Sequence, residues 1–228
     1  MSKKDSLYCS GIALIMEGDT EKYFYEEVLN RICEDNDIQF TKEEDNDELS
    51  DFFVLSKKEK KIILKMKNAE TITQITNQYL WFKNYCIEKF NNIWHVVLCY
   101  DTDGNNYSAF TNDDWKTLRN NISKHKNVKT ILDCTADRDI EDLFLIDLEG
   151  ILLFLGIDSL VKLEDLRGRK GKVKMKNLYT DYTELTYHEG KRALPLIKSL
   201  NIRKIINHSN NNIKKLEEII VDIFKETN

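Results

Sequence analysis

Apolar runs of strand length stand at residues 8–16 and 93–100 and read as buried strands, and residues 128–133 read as another strand. Helical spacing separates them. Tyr23, Phe24, Val28, Leu29 and Ile32 repeat at turn intervals within 20–33. Ile72, Ile75, Tyr79, Phe82, Cys86 and Phe90 form one stripe of a long helix expected over 69–91. Asn112 and Asp113 are placed to cap a helix running to about Lys124. Asp139 to Leu155, apolar on most sides, reads as a single helix closed by Gly156. Two short strands are expected near 52–55 and 62–65, and the acidic stretch 34–51 reads as a loop or insertion. Strand and helix alternate four times, which implies an α/β fold: a parallel sheet with right-handed crossovers, flanked by helices.

After Gly156 the texture changes. Residues 167–176 carry Arg167, Arg169, Lys170, Lys172, Lys174 and Lys176 and no acid, with glycines at 168 and 171 that make the run pliable. Helices are expected near 176–185, 189–200 and 210–226; Pro195 means that the second is kinked or starts later. The pattern divides into an α/β domain over 1–156, with 34–68 as its insertion or loop region, and a basic, mainly helical region over 157–228.

Charge sharpens this division. The net charge is -5, yet residues 1–149 hold 19 Lys and Arg against 29 Asp and Glu, and residues 150–228 hold 15 against 10. The asymmetry suits an acidic metal site followed by a region facing nucleic acid; ordinary solvated helix faces are the alternative. The five cysteines have no Cys-x-x-Cys spacing and the histidines are dispersed, which argues against structural zinc and a disulfide framework. His95 lies within a strand and reads as a core residue. The apolar run near the N-terminus is too short to span a membrane, so a cytoplasmic setting with no membrane partner is expected.

Two strand ends carry acids. Ile12–Met16 runs into Glu17-Gly18-Asp19-Thr20-Glu21, and Trp94–Tyr100 runs into Asp101-Thr102-Asp103-Gly104. Ligands of parallel sheets bind beyond the carboxyl ends of the strands. Neighbouring strands would bring Glu17, Asp101 and Asp103 to one rim, where their repulsion calls for a cation. Asp101 and Asp103 fall on the same side of an extended backbone, a spacing suited to one Mg2+. A surface glutamate and an acidic turn are the plainer readings. Glu141, within Asp137-Arg138-Asp139-Ile140-Glu141-Asp142, reads either as a further ligand or as an acid favoured by a helix N-terminus. In the basic run and in Tyr187–Arg192, the cations Arg167, Arg169, Lys170, Lys172, Lys174, Lys191 and Arg192 would meet a phosphate backbone, unless they form a solvated loop. Lys172 and Lys191 are the choices for stabilising charge on a phosphate in transit, with Lys172 placed in the catalytic set.

Glu17-Gly18-Asp19-Thr20-Glu21 before a helix, with Asp101-Thr102-Asp103 after a later strand, resembles the Toprim domain. Topoisomerases, primases, small ribosomal-RNA maturases and OLD-type nucleases share that domain. The Glu-Gly-x-Thr-Glu variant is similar to Toprim-like proteins of bacterial anti-phage and abortive-infection systems. The resemblance spans about residues 8–155. It implies that Glu17 is the Toprim glutamate, a metal ligand or general acid/base, and that Asp101 and Asp103 are Mg2+ ligands. It further implies a Toprim-like sheet and a nuclease that uses Mg2+ or Mn2+, RNA (transfer RNA included) being favoured over DNA. No Gly-x-x-x-x-Gly-Lys-Ser/Thr segment occurs, so any nucleotide-driven gating would come from a partner ATPase or sensor; self-association is a further expectation.

Three rivals are open. A Toprim-like module without catalysis could bind nucleic acid or regulate a partner ATPase. An aspartate-nucleophile phosphotransferase would need an Asp where Glu17 stands. An interaction protein could dock nucleic acid through its basic tail alone.

Overall fold

The computed structural model describes residues 8–44, 50–70, 74–102, 109–158, 161–208 and 212–226. Its centre is a six-stranded mixed sheet in the order β2-β3-β4-β1-β5-β6. The strands are β1 (Ser10–Met16), β2 (Gln39–Glu43), β3 (Asp51–Lys57), β4 (Lys60–Asn68), β5 (Trp94–Asp101) and β6 (Val128–Ala136). β1 pairs in parallel with β4 and β5, and β5 with β6, while β2-β3-β4 is antiparallel. All seven residues of β1 are buried, because helices cover both faces. Ile12, Leu14 and Met16 face one apolar cluster, and Ala13 and Ile15 face the other.

On the first face lies α1 (Asp19–Asp35), with α4 (Ile140–Phe144), α5 (Leu148–Leu155), α6 (Gly171–Tyr182), α7 (Leu194–Ser199), α8 (Ile202–Ile206) and α9 (Ile213–Lys225). On the second lie α2 (Gln78–Phe82), the π-helical turn Lys83–Ile87 and α3 (Ala109–Ile122), packed around Trp94 and Trp115. Met175, Leu178, Ile197, Ile205 and Ile220 belong to the same core as Leu14, Met16 and Phe24. The basic C-terminal region is therefore built into the wall behind the sheet edge.

Several expectations need correction. The stretch 34–51 is not all loop. Gln39–Glu43 forms edge strand β2, where Phe40 stacks on Phe53 at 4.7 Å and the outward residues stay polar. The helix expected over 69–91 is short. Ala69 continues the β4 direction by donating its N–H to Met16 O at 2.8 Å, and Glu70 turns at φ +66°, so tertiary pairing overrides the helical stripe. Ile72 lies outside the described residues. α3 begins at Ala109, ahead of the cap expected at Asn112–Asp113.

The helix over 139–155 is broken by a 3-10 turn at Leu145–Asp147. There the buried Asp147 carboxylate accepts the Asn201 N–H at 2.7 Å, in space that only a residue without Cβ at Gly150 leaves. The basic run is not pliable throughout, because α6 starts at Gly171. The Asp139 carboxylate accepts the Lys172 N–H at 3.1 and 3.2 Å and caps it. Pro195 sits in the first turn of α7, so that helix does start late; a 3-10 turn, Gly190–Ala193, precedes it.

Candidate active site

β1 and β5 run side by side and end together. Glu17 follows β1 and donates its N–H to Cys99 O of β5 at 3.2 Å. Asp101 is the last residue of β5, and its N–H reaches Glu17 Oε2 at 3.4 Å. The chain then turns at Gly18, where a Cβ would come 2.9 Å from Glu21 Oε2. Gly18 is extended, a conformation any residue adopts, and a Cβ there would displace only the end of the Glu21 side chain. Glu21 stands in the first turn of α1 and lines the same pocket as Glu17. From the other side, β6 leads into α4, whose N-terminal end carries Asp139 and Glu141.

These elements enclose a pocket of about 370 Å3 at the carboxyl edge of the sheet. Glu17, Asp19, Glu21, Glu70, Asp101, Asp139, Glu141 and Glu189 line it, and Lys172 is the only cation among the lining residues. So many carboxylates in one small space do not ionise freely. Burial pushes Asp101 up to about 10, helped by the charges of Glu21 and Glu17. Burial likewise pushes Glu21 and Glu141 up to about 7. Asp139 is raised by burial and by Asp142, against the Lys172 N–H that it accepts. Burial pulls the Lys172 ammonium down, but its ion pair with Glu189 outweighs this and holds it above its ordinary value.

The donor set fits a hard divalent cation in kind. It is all oxygen and strongly negative, and Asp101 Oδ1 is a buried carboxylate oxygen with no hydrogen-bond partner among the described residues. It is not drawn into a cage. Among the described residues no group of three or more His, Cys, Asp or Glu is arranged to hold a metal ion. The acids line a chamber without converging on one point.

Of the residues singled out from the sequence, Glu17, Asp101, Glu141 and Lys172 are brought together here. Asp103 lies outside the described residues. The other cations do not line the pocket. Arg167 is held by Asp181 through Nη2 at 2.6 and 2.7 Å. Arg169, Lys170, Lys191 and Arg192 are exposed and Lys174 is half-buried. Lys170, Lys174, Lys191 and Arg192 nevertheless lie within two residues of Lys172 or Gly190 on the pocket wall.

The sequence reading missed Glu21, Asp139 and Glu189 as lining groups. Glu21 had a signal, since it lies in the first turn of the helix that directly follows Glu17-Gly18. Asp139 had one too, as the N-cap ahead of α4. Glu189 had none, being placed by the packing of a distant turn.

No protein-family model and no curated protein matches this chain. No helix among the described residues is long and apolar enough to cross a membrane.

Proposed function

We propose that this protein is a metal-dependent phosphodiesterase of the nuclease type, cutting nucleic acid at the acidic pocket. One observation carries the reading: Glu17, Asp101, Glu141 and Lys172, from four separate stretches of the chain, line one small chamber that holds a buried carboxylate oxygen without a hydrogen-bond partner among the described residues. A chamber so negative repels a phosphodiester unless cations offset it. Glu17, Asp101, Asp139 and Glu141 would hold Mg2+ or Mn2+, with Asp103 as a further ligand by resemblance. The bound metal would supply Lewis acidity and an activated water. Glu21, on the wall of the same pocket, would be placed to exchange a proton with that water. Lys172 can release Glu189 and meet the charge growing on the phosphate. The exposed cations around the pocket wall would follow the flanking backbone. RNA as the substrate, a role as an anti-phage effector and a partner ATPase rest on the Toprim resemblance.

A second reading, a module that binds nucleic acid or regulates a partner without cutting, draws on the failure of the acids to converge. The test is to incubate the protein with total RNA and with plasmid DNA in Mg2+, Mn2+ or EDTA, beside Glu17→Ala and Asp101→Asn. The nuclease reading expects strands to be cut with metal, and both variants and EDTA to stop it. Cutting that persists in EDTA would sink the metal, and salt-sensitive binding with intact strands would favour the second reading.

A further inference from the structure

Tyr187 stands behind the pocket. It is 3% exposed and is not among the lining residues, yet its hydroxyl donates to Glu141 Oε1 at 2.7 Å. Glu141, 2% exposed, does line the pocket. A buried tyrosine needs some partner for its hydroxyl, and the backbone is the commoner one. Tyr25 follows that pattern, donating to Cys134 O at 3.3 Å. Tyr187 instead spends its proton on a carboxylate of the candidate site, 46 residues away in the chain.

The segment that carries Tyr187 is tied down on both sides of the pocket. Gly190, at φ +63°, donates its N–H to Thr20 Oγ1 of α1 at 2.8 Å. Glu189 pairs with Lys172 of α6. The Tyr187 ring meets Tyr179 of α6 edge-on, with centroids 5.5 Å apart. The phenol therefore has a fixed place from which to orient a carboxylate.

We infer that Tyr187 is a positioning residue: its hydroxyl holds one oxygen of Glu141 and sets the plane in which the carboxylate meets a divalent cation in the pocket. The inference rests on the metal-dependent reading above. Groups that orient metal-ligating carboxylates from behind typically govern affinity by about 10-fold or more.

The test measures Mn2+ affinity by titration calorimetry on the full chain, at a temperature where circular dichroism shows every protein folded. Tyr187→Phe keeps the ring and deletes only the hydroxyl; it should weaken Mn2+ binding about 10-fold. Tyr25→Phe deletes a core hydroxyl bonded to backbone and should bind as wild type does. Glu141→Gln reports whether the pocket uses this carboxylate, and should lose affinity. If Tyr187→Phe binds as wild type does while Glu141→Gln is weakened, Tyr187 is packing alone; the inference falls and the metal pocket stands. Equal losses in the two tyrosine variants would mean general loosening and also overturn it. Wild type that takes up no Mn2+, or Glu141→Gln that binds as tightly as wild type, removes Glu141 as a ligand and the inference with it.

Discussion

Replacing Glu21 by Gln should stabilise the metal-free protein at alkaline pH and do almost nothing at acid pH. Glu21 is 7% exposed and shares its pocket with Glu17, Asp101 and Glu141. Burial, then the charges of Glu17 and Glu141, move its carboxyl from an ordinary 4.5 to about 7. The sign follows from proton uptake. Between these values the folded state keeps a proton that the unfolded chain releases, so stability falls as pH rises through the window. Above about pH 7 the whole penalty is present, about 3 kcal/mol for such a displacement. Coupling among the acids shares part of that with neighbours, so about 1–3 kcal/mol is expected for the single change. Glutamine has the same shape and no charge, so the variant escapes this pH dependence. Urea unfolding in EDTA at pH 5 and pH 8, followed by circular dichroism, reads both numbers. The variant should exceed wild type by no more than about 1 kcal/mol at pH 5, just inside the window, and by more at pH 8. A Glu21→Gln protein destabilised equally at both pH values would refute the reasoning, since the carboxylate would then be a satisfied partner and not a strained one.

Other changes test the frame around the pocket. A Cβ at Gly171 would collide with Asp142 N and lie 2.6 Å from Asp139 Oδ1, so Gly171→Ala should cost about 1–3 kcal/mol in urea unfolding and push α6 away from α4. A Cβ at Gly11 would enter the Trp94 ring, at 2.6 Å from Cε3, so Gly11→Ala should destabilise by a similar amount and shift tryptophan fluorescence. Arg203 joins α8 to Glu217 through Nη1, at 2.9 and 3.0 Å, and pairs with Asp35 of α1. Arg203→Ala should cost about 2 kcal/mol at neutral pH. Burial pushes Glu217 and Asp35 up, but hydrogen bonds from Lys214 and Arg203 to the first, and from Arg203 and Arg31 to the second, hold both below their ordinary values. The network's contribution is therefore full above the ordinary carboxylate range and is lost as pH falls through the lowered values. The gap between wild type and Arg203→Ala should narrow toward about pH 3.

The parts of the site that were legible are those set by local pattern. β1 and β5 announce themselves because a parallel strand buried on both faces is apolar almost throughout: Ile12–Met16 is, and Trp94–Cys99 is but for the buried His95. Glu17 and Asp101 stand out because acids follow directly where burial stops. Elements whose state depends on distant partners were misread. β2 looks like a polar loop because an edge strand buries little and is held by β3. Residues near Ala69 look helical, but β1 claims the Ala69 N–H. The helix after Asp139 breaks where Asn201, 54 residues on, meets Asp147.

By itself the sequence determined the α/β class, the strands that form the centre of the sheet and the two acids at their ends, since burial on both faces writes itself into consecutive residues. Only the tertiary structure decided that Glu21, Asp139, Glu141 and Glu189 share one chamber with them, that Lys172 alone of the basic run enters it, and that Tyr187 stands behind Glu141. These are contacts between residues far apart in the chain, Gly190 and Thr20 being 170 positions apart. They follow from how α1, α4 and α6 pack over one sheet edge, and no local pattern of residues encodes that packing.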